Sequence, residues 1–186
     1  NNLNKVYDGF ELKDVCFKLE TGTIMGIVGE NGAGKSTIIK GILDLINIDS
    51  GDIKIFGKDF KENASEIKKD ISVVFDESYF HDNLKLPDID KIMKNIYPNW
   101  DKNKFLKYTN HFKLPNNKRV KDFSRGMKMK LSIAVALSHN AKLLILDEAT
   151  SGLDPVVRDE ILDIFLDYIQ NEDCSILIAS HITSDL

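Results

Sequence analysis

Three runs of consecutive apolar residues stand out in a chain whose apolar and polar positions otherwise recur at helical or alternating spacing. The runs lie at 24–28, 143–146 and 176–179, and they are rich in leucine and isoleucine. Near-continuous apolar runs of this length are typical of parallel strands that are covered on both faces. They therefore predict a buried parallel sheet.

Two further runs predict additional strands. Residues 71–75 are mainly β-branched and apolar, whereas polar and apolar residues alternate over 52–56, between Gly51 and Gly57. Alternation indicates a strand with one solvated face, and flanking glycines mark turns. We therefore predict a strand at 71–75 and a half-exposed antiparallel strand at 52–56.

Helical spacing dominates the segment between the strand at 71–75 and the strand at 143–146. Prolines at 87, 98 and 115 divide its first part into short pieces, and one long amphipathic stretch follows. Another amphipathic stretch precedes the last predicted strand. The predicted helices span 88–97, 101–112, 126–139 and 156–170.

Length and charge limit the classes of protein that fit this pattern. The 186 residues suit one domain, or one domain with a sizeable insertion. The formal net charge is −4, and the lysine-rich stretch 61–69 is interleaved with acids. We therefore predict a solvated face there and no nucleic-acid partner. No apolar run approaches the roughly 20 residues that span a bilayer, and no signal peptide is visible.

Cys16 and Cys174 lie in apolar, strand-like surroundings without the spacing of a metal site. We expect both to be reduced core residues of a cytosolic protein, and we expect no zinc site. The chain begins without methionine and stops shortly after a strand-like run. We therefore expect both termini to be trimmed relative to the natural gene product.

The segment 29–37 lies between the first apolar run and a stretch of helical spacing, and it carries a complete G-x-x-x-x-G-K-S pattern. Its glycines let successive backbone N–H groups turn inward around a phosphate at a helix N-terminus. Lys35 can reach the β- and γ-phosphates of a nucleotide, and the Ser36 hydroxyl can ligate Mg²⁺. The predicted nucleotide-binding residues of this loop are Gly29, Glu30, Asn31, Gly32, Ala33, Gly34, Lys35, Ser36 and Thr37.

Two acids, Asp147 and Glu148, end the apolar run that begins at Leu143. Ligands of parallel α/β sheets bind at the carboxyl ends of the strands, so Asp147 is placed to hold Mg²⁺, directly or through water. Glu148 points in a different direction and is placed to accept a proton from an attacking water. The two acids therefore predict the second half of a nucleotide-hydrolysing site.

Together these patterns predict a single α/β domain over 1–186 with the fold of a P-loop NTPase. We expect a mostly parallel sheet, an N-terminal antiparallel β part and an inserted, mostly helical subdomain. The predicted core comprises about 1–76 and 141–186, and the helical subdomain comprises about 77–140.

Further motifs lie between and after these two patterns. They are Ser124-Arg125-Gly126-Met127, Ser151-Gly152-Leu153-Asp154 and His181. In this order they resemble the signature loop, the D-loop and the switch histidine of the ATP-binding subunits of ABC transporters. The resemblance covers essentially the whole chain. The Ser-Arg-Gly-Met form is most similar to the subset that serves bacterial export or bacitracin and lantibiotic resistance.

Some positions depart from the usual pattern of that family. Asp76 stands where a glutamine normally follows a strand, and it can accept hydrogen bonds or reach Mg²⁺ through water. Its charge differs from that of glutamine, which leaves open the metal geometry and the timing of coupling to a membrane partner. Arg125 and Met127 replace the first glycine and the glutamine of the signature. Ser124 and Gly126, which the family uses to hold the γ-phosphate of the opposite subunit, are present.

The resemblance implies an ATPase subunit that drives transport. Two copies, or this chain and a similar one, would close head-to-tail around two ATP molecules with Mg²⁺. Glu148 would act as general base, His181 would contact the γ-phosphate, and Asp154 would connect the two sites. A transmembrane permease subunit would be the second partner. This implies a peripheral location at the cytoplasmic face of the membrane.

The same resemblance assigns two aromatic positions. Tyr7 precedes the loop by about the family's distance for the residue that stacks on adenine, and Phe10 is the second candidate; Tyr7 also fits an ordinary core or surface position. Tyr79-Phe80-His81 is the candidate contact with the membrane subunit. The alternative is that Tyr79 and Phe80 are core residues.

A second class of function is an ABC-type ATPase without a transporter, such as a translation factor or a repair machine. Translation-type members carry two such domains in one chain, and repair-type members need long coiled-coil insertions for which 186 residues leave no room. A non-hydrolysing nucleotide sensor would lack Lys35 or Glu148. The sequence therefore favours the transport subunit.

Overall fold

The computed structural model describes residues 1–151 and 153–181, which contain eight strands and six α-helices. Within these residues, no helix combines enough length with enough apolar character to traverse a lipid bilayer. The strands are β1 (Leu3–Tyr7), β2 (Phe10–Val15), β3 (Ile24–Val28), β4 (Lys54–Ile55), β5 (Lys58–Asp59), β6 (Ile71–Val74), β7 (Leu143–Asp147) and β8 (Ser175–Ser180). The helices are α1 (Lys35–Ile42), α2 (Phe60–Ile67), α3 (Leu86–Ile96), α4 (Lys102–His111), α5 (Arg125–Ala136) and α6 (Pro155–Tyr168).

The central sheet consists of four parallel strands in the order β3–β8–β7–β6. β7 and β8 lie inside the sheet and are buried along their whole length, as their apolar runs predict. β3 lies at one edge, where Gly26 and Val28 are exposed, Val28 to 47%. The prediction that β3 is covered on both faces is wrong, because the covering layers do not extend fully over this edge strand.

Antiparallel strands lie beside the central sheet, as predicted. β1 pairs with β2, and β4 pairs with β5. Only Lys54 and Ile55 of the predicted strand at 52–56 pair with a neighbouring strand. Lys54 is exposed and Ile55 is buried, so the strand has one solvated face, as predicted. The strand is shorter than predicted because the backbone N–H of Asp52 donates to the carbonyl of Asn1, at 3.0 Å.

The boundaries of the four predicted helices differ from the observed ones by one to three residues, and two of these differences have a clear physical cause. Pro87 lies in the first turn of α3 and does not precede the helix, because the first N–H groups of a helix have no intrahelical acceptor and tolerate proline. α5 ends at Ala136, three residues before the predicted end at 139. The chain turns away there because the carbonyl of Ser138 accepts from the N–H of Asp101, at 2.7 Å.

Two hydrophobic clusters lie on opposite faces of the sheet. Alternate residues of a strand point to opposite faces, so Leu144 and Leu146 pack against α3 to α6, whereas Leu143 and Ile145 pack against β1, β2, α1 and α2. The first cluster is continuous from the helical segment to the sheet. The division into a core and a helical subdomain over 77–140 stays a prediction.

The two cysteines differ in their surroundings, and both are free thiols. Cys174 is buried just before β8, as predicted. Cys16 is exposed, so its predicted core position is wrong. Its Sγ lies 2.9 Å from the backbone nitrogen and 2.8 Å from Oδ1 of Asn2, and this polar contact is not visible from its apolar sequence neighbours.

A buried histidine joins the end of α5 to β6. His139 is 1% exposed, and its ring stacks on Tyr97 with a centroid distance of 3.9 Å. Its Nε2 lies 3.1 Å from the carbonyl oxygen of Ile71 and 3.1 Å from Oγ of Ser72. Burial lowers the pKa of His139, while the nearby backbone carbonyls and the charge of Asp70 act in the opposite direction.

We expect this histidine to make the fold sensitive to acid. Because its pKa is lower in the folded chain than the value of about 6.5 in unfolded chains, the unfolded state binds more protons below that pH. The free energy of unfolding should therefore fall, by up to about 1.4 kcal/mol per pH unit, as the pH drops from about 6.5 towards the lowered pKa. Urea denaturation at pH 7.5 and 5.5 measures this loss, and His139→Gln should reduce it. His81→Gln, at an exposed site, should not. An equal loss in the His139→Gln variant would contradict the prediction.

Candidate nucleotide-binding site

The loop at 29–37 connects the end of β3 to the start of α1, as the sequence predicts. α1 begins at Lys35 with Gly34 as its N-cap, and no side chain of the described residues caps it. The first N–H groups of a helix lack intrahelical acceptors, and the helix dipole favours negative charge beside them. The loop therefore offers backbone donors of the kind that bind a phosphate group.

Gly34 fits this loop because it lacks a side chain. Its φ is +96°, in the left-handed region. A Cβ atom there would lie 2.7 Å from side-chain atoms of both Phe10 and Leu12. Any other residue would therefore be strained and would displace the side chains of Phe10 and Leu12 on β2. This support of the loop by β2 joins segments that are distant in sequence, and sequence reasoning missed it.

Lys35 lies among acceptors at the start of α1. It is 6% exposed. Its Nζ donates to the carbonyl oxygens of Gly29, at 2.7 Å, and Glu30, at 3.0 Å, and it lies 3.3 Å from Oε1 of Glu148. These contacts hold the ammonium group between the loop and the acid that follows β7.

Ser36 and Asp147 meet where the loop approaches the end of β7. The Ser36 hydroxyl donates to Oδ1 of Asp147 at 2.9 Å, and Asp147 is 4% exposed. Burial raises the pKa of Asp147; the charges of Asp76 and Glu148 act in the same direction, and the Ser36 hydrogen bond opposes them. A divalent cation would offset this concentration of negative charge.

This pair suits magnesium more than an all-protein metal site. Mg²⁺ prefers oxygen ligands and usually takes one or two carboxylates together with water and substrate phosphates. The part of the chain that the structure describes contains no group of three or more His, Cys, Asp or Glu side chains that could hold a metal. Ser36 and Asp147 therefore fit a Mg²⁺ ion that binds with a nucleotide. A link from Asp76 to the metal through water stays a prediction.

Glu148 follows β7 directly and has a left-handed backbone, with φ of +54°. Its N–H donates to the carbonyl of Ala179 at 2.9 Å, and its Oε2 lies 2.5 Å from Nδ1 of His181. A non-glycine residue in this conformation is held by its surroundings, and such residues cluster at functional sites. The structure thus brings Lys35, Glu148 and His181 together, although the sequence shows only separate motifs.

Comparison with known proteins identifies the family. A family model described as ABC transporter matches residues 12–151. The chain belongs to the ABC transporter family. The matched range includes the loop, both acids after Leu146 and the Ser124–Met127 segment, and it confirms the family that the motifs resemble.

Two relatives illustrate the match to the ABC transporter family. The ABC transporter ATP-binding protein YtrB of Bacillus subtilis is 34% identical over 185 residues, which cover 99% of this chain and 63% of YtrB. The lantibiotic transport ATP-binding protein SrtF of Streptococcus pyogenes is 36% identical over 188 residues, which cover 100% of this chain and 80% of SrtF. The chain therefore spans less than two thirds of YtrB. The name of SrtF agrees with the predicted subset.

A solved structure supports the same assignment at the level of the fold. It is an ATP-binding subunit of an ABC transporter, with a TM-score of 0.83 and 25% identity, and the match covers 98% of this chain and 78% of that chain. The predicted α/β fold, with its parallel sheet and N-terminal antiparallel strands, is confirmed. ABC ATP-binding proteins are ATPases.

Two residues of the segments predicted to be the signature loop and the D-loop lie at helix starts. Ser124 is the N-cap of α5 and accepts from the N–H of Met127 at 3.3 Å, and Asp154 is the N-cap of α6 and accepts from the N–H of Val157 at 3.1 Å. Within residues 1–151 and 153–181, no hydrogen bond or ion pair joins Ser124 or Asp154 to the loop at 29–37. Gly152, part of the predicted D-loop, lies outside the described residues.

The two aromatic residues that are candidates for stacking on adenine differ in their exposure. Tyr7 is exposed, and the ammonium group of Lys5 lies 5.1 Å from the centre of its ring. Phe10 is half-buried and packs beside Gly34. Tyr7 is therefore not a core residue, and its ring has an accessible surface. The ring of Phe10, in contrast, packs against the loop. Stacking of Tyr7 on adenine stays a prediction.

The segment Tyr79–His81 is the predicted contact with a membrane subunit. Its residues are not all part of the core. Tyr79 is 75% exposed and contacts the edge of Phe75, with a centroid distance of 5.7 Å. His81 is also exposed, whereas Phe80 packs against the helical hydrophobic cluster. The core alternative is therefore wrong for Tyr79 and holds in part for Phe80. The contact with a membrane subunit stays a prediction.

Proposed function

We propose that this chain is the ATP-hydrolysing domain of an ABC transporter, and that two such chains close head-to-tail around two ATP molecules. One observation carries the proposal. The phosphate-binding loop, the Ser36–Asp147 pair and the Glu148–His181 pair converge at the carboxyl ends of β3, β7 and β8. This is the edge of a parallel sheet at which ligands bind.

ATP binds through its phosphates and its base. The backbone N–H groups of the loop at 29–37 surround the phosphate chain, and Lys35 contacts the β- and γ-phosphates. The buried position of Lys35 supports this role, since a charge in a site with little water interacts more strongly. Tyr7 stacks on adenine, because its exposed ring is free of the packing that holds Phe10.

Ser36 and Asp147 would hold Mg²⁺ in this proposal, and Asp76 would contribute through water. When bound, Mg²⁺ supplies positive charge to the β- and γ-phosphates. Burial and nearby negative charge raise the pKa of Asp147. Both causes disfavour its ionised carboxylate, so a bound cation would stabilise it.

Glu148 is the general base. Its carboxylate accepts a proton from the water that attacks the γ-phosphorus, and the contact with His181 orients that carboxylate. His181 also contacts the γ-phosphate. The left-handed backbone of Glu148 supports this role, because non-glycine residues in this conformation cluster at functional sites.

A second subunit completes each site. The exposed hydroxyl of Ser124 and the N-terminus of α5 at Gly126 contact the γ-phosphate that the opposite subunit holds, and Asp154 connects the two sites. The absence of bonds from Ser124 and Asp154 to the loop of their own chain, within residues 1–151 and 153–181, supports a role towards another chain. Hydrolysis then removes the γ-phosphate that links the subunits, and the dimer opens.

A permease subunit is the second partner. The exposed ring of Tyr79 is the candidate contact, and the name of the relative SrtF, a lantibiotic transport ATP-binding protein, supports a role in transport. Through such a permease the chain lies peripherally at the cytoplasmic face of the membrane.

The dependence of hydrolysis on protein concentration tests this function. If two chains form each site, the rate per chain should rise with concentration at saturating MgATP and reach a plateau, and EDTA should abolish it. Malachite-green release of phosphate measures the rate, and size-exclusion chromatography measures the dimer. A rate per chain that does not depend on concentration would contradict the head-to-tail dimer, and failure to bind ATP would contradict the function.

We expect Asp76→Gln to change coupling more than nucleotide affinity. Asp76 is exposed and lies outside the contacts of Lys35 and Ser36, so the dissociation constant of ATP should change by less than about threefold, as for a solvent-exposed charge. Stimulation of hydrolysis by the permease should change by more than that. Glu77→Gln, which removes the neighbouring exposed carboxylate, is the control and should change neither. A large loss of ATP affinity in Asp76→Gln would show that its role is different.

A further inference from the structure

Lys35 and Glu148 contact each other in the chain by itself. Two of the three N–H donors of an ammonium group are accounted for by the carbonyls of Gly29 and Glu30. Oε1 of Glu148 lies 3.3 Å from the same Nζ. This oxygen is buried and accepts no hydrogen bond from any described residue, so the contact is an ion pair without hydrogen-bond geometry.

We propose that this ion pair is a resting contact that nucleotide binding must break: a β-phosphate takes Lys35, and the Glu148 carboxylate is released for its role as base. The inference rests on the function proposed above and concerns the regulation of the same site. It gives Lys35 a second role, in which it holds the general base before ATP arrives.

The surroundings of the pair allow this exchange without a movement of the backbone. Lys35 keeps its bonds to Gly29 and Glu30, while its third donor, which makes no hydrogen bond to Glu148, takes a phosphate oxygen. The backbone of Glu148 is fixed on both sides, because its N–H donates to Ala179 at 2.9 Å and its carbonyl accepts from Ser151 at 3.0 Å. Release of the carboxylate is therefore a side-chain rotation towards His181, which already holds the other carboxylate oxygen.

The resting contact has a measurable cost for nucleotide binding. A phosphate group and the Glu148 carboxylate compete for the same ammonium group, so any change that removes the carboxylate from Lys35 should tighten nucleotide binding. A general loss of negative charge would also tighten binding of an anion. The two causes can be separated because Glu148→Asp keeps the charge and withdraws the carboxylate by one methylene group.

The experiment measures binding of ADP in EDTA by isothermal titration calorimetry, so that neither the metal nor dimerisation contributes. Glu148→Gln and Glu148→Asp should each bind ADP about three- to tenfold more tightly than the wild-type chain, as expected for loss of a competing ion pair. Glu77→Gln removes an exposed carboxylate that does not contact Lys35, and it should change the affinity by less than about twofold.

The outcomes separate the alternatives. Tighter binding in both Glu148 variants and not in Glu77→Gln supports the resting contact. Equal tightening in Glu77→Gln and Glu148→Gln, or wild-type affinity in Glu148→Asp, would show that only charge matters and would overturn the proposal. Unchanged affinity in all variants would overturn it as well. If the wild-type chain itself binds neither ADP nor ATP, it is the proposed function that fails.

Discussion

Lys35→Ala is expected to abolish tight ATP binding. The side chain is 6% exposed and presents its charge between the loop carbonyls and Glu148. Loss of one partner of a buried charge contact costs about 2–5 kcal/mol, so the dissociation constant of MgATP should rise at least about 30-fold. Fluorescence titration with a labelled ATP analogue measures the change.

A control on the same helix tests whether the loss is specific. Lys40 lies in the last turn of α1 and is exposed, so Lys40→Ala should leave the dissociation constant within about twofold of the wild-type value. The melting temperature of both variants shows whether the fold is retained. Unchanged affinity in a folded Lys35→Ala variant would refute the assignment of the loop at 29–37 to phosphate binding.

The parts of the site that could be predicted from sequence are those in which neighbouring residues act together. The loop at 29–37 is contiguous, and its strand and helix follow from local apolar spacing, so its position between β3 and α1 is confirmed. Asp147 could be placed because the end of a buried parallel strand has one location in this class of fold. Its bond to Ser36 then follows from the convergence of strand ends.

The parts that could not be predicted depend on contacts between distant segments. The exposure of β3 at the sheet edge and of Cys16 after β2 reflects which layers cover these residues, and local apolar pattern does not contain that information. The left-handed backbone of Glu148 is another example. Glutamate has no preference for that region, and its backbone is held there by hydrogen bonds with Ala179 on β8 and with Ser151.

The signature serine shows a different limit of sequence reasoning. Ser124 was assigned to the γ-phosphate through the family resemblance, and the structure gives it a second role as the N-cap of α5. A serine at an N-cap contributes about 1 kcal/mol to the stability of a helix. Loss of activity in a Ser124 variant would therefore need a parallel measurement of stability before it could be assigned to the phosphate contact.

Glu148→Gln is expected to bind ATP, to stop hydrolysis and to accumulate as an ATP-bound dimer. Glutamine has nearly the same shape, so the loop and Ser36 keep their contacts, but its amide cannot accept a proton at neutral pH. Removal of a general base lowers the rate by about 10²–10⁴-fold. Because hydrolysis is the step that opens the dimer in the proposed cycle, the variant should elute as a dimer with MgATP and as a monomer with ADP.

The comparison with Glu30→Gln makes this result specific. Glu30 lies in the loop and is exposed, and its carbonyl, not its carboxylate, contacts Lys35. Its replacement removes one negative charge near the phosphates without touching the proposed base, so hydrolysis should stay within about threefold of the wild-type rate. A Glu148→Gln variant that turned over ATP at the wild-type rate would mean that another group takes the proton. His181 would then be the first residue to test, because it is the side chain that contacts Glu148 most closely among the described residues, at 2.5 Å.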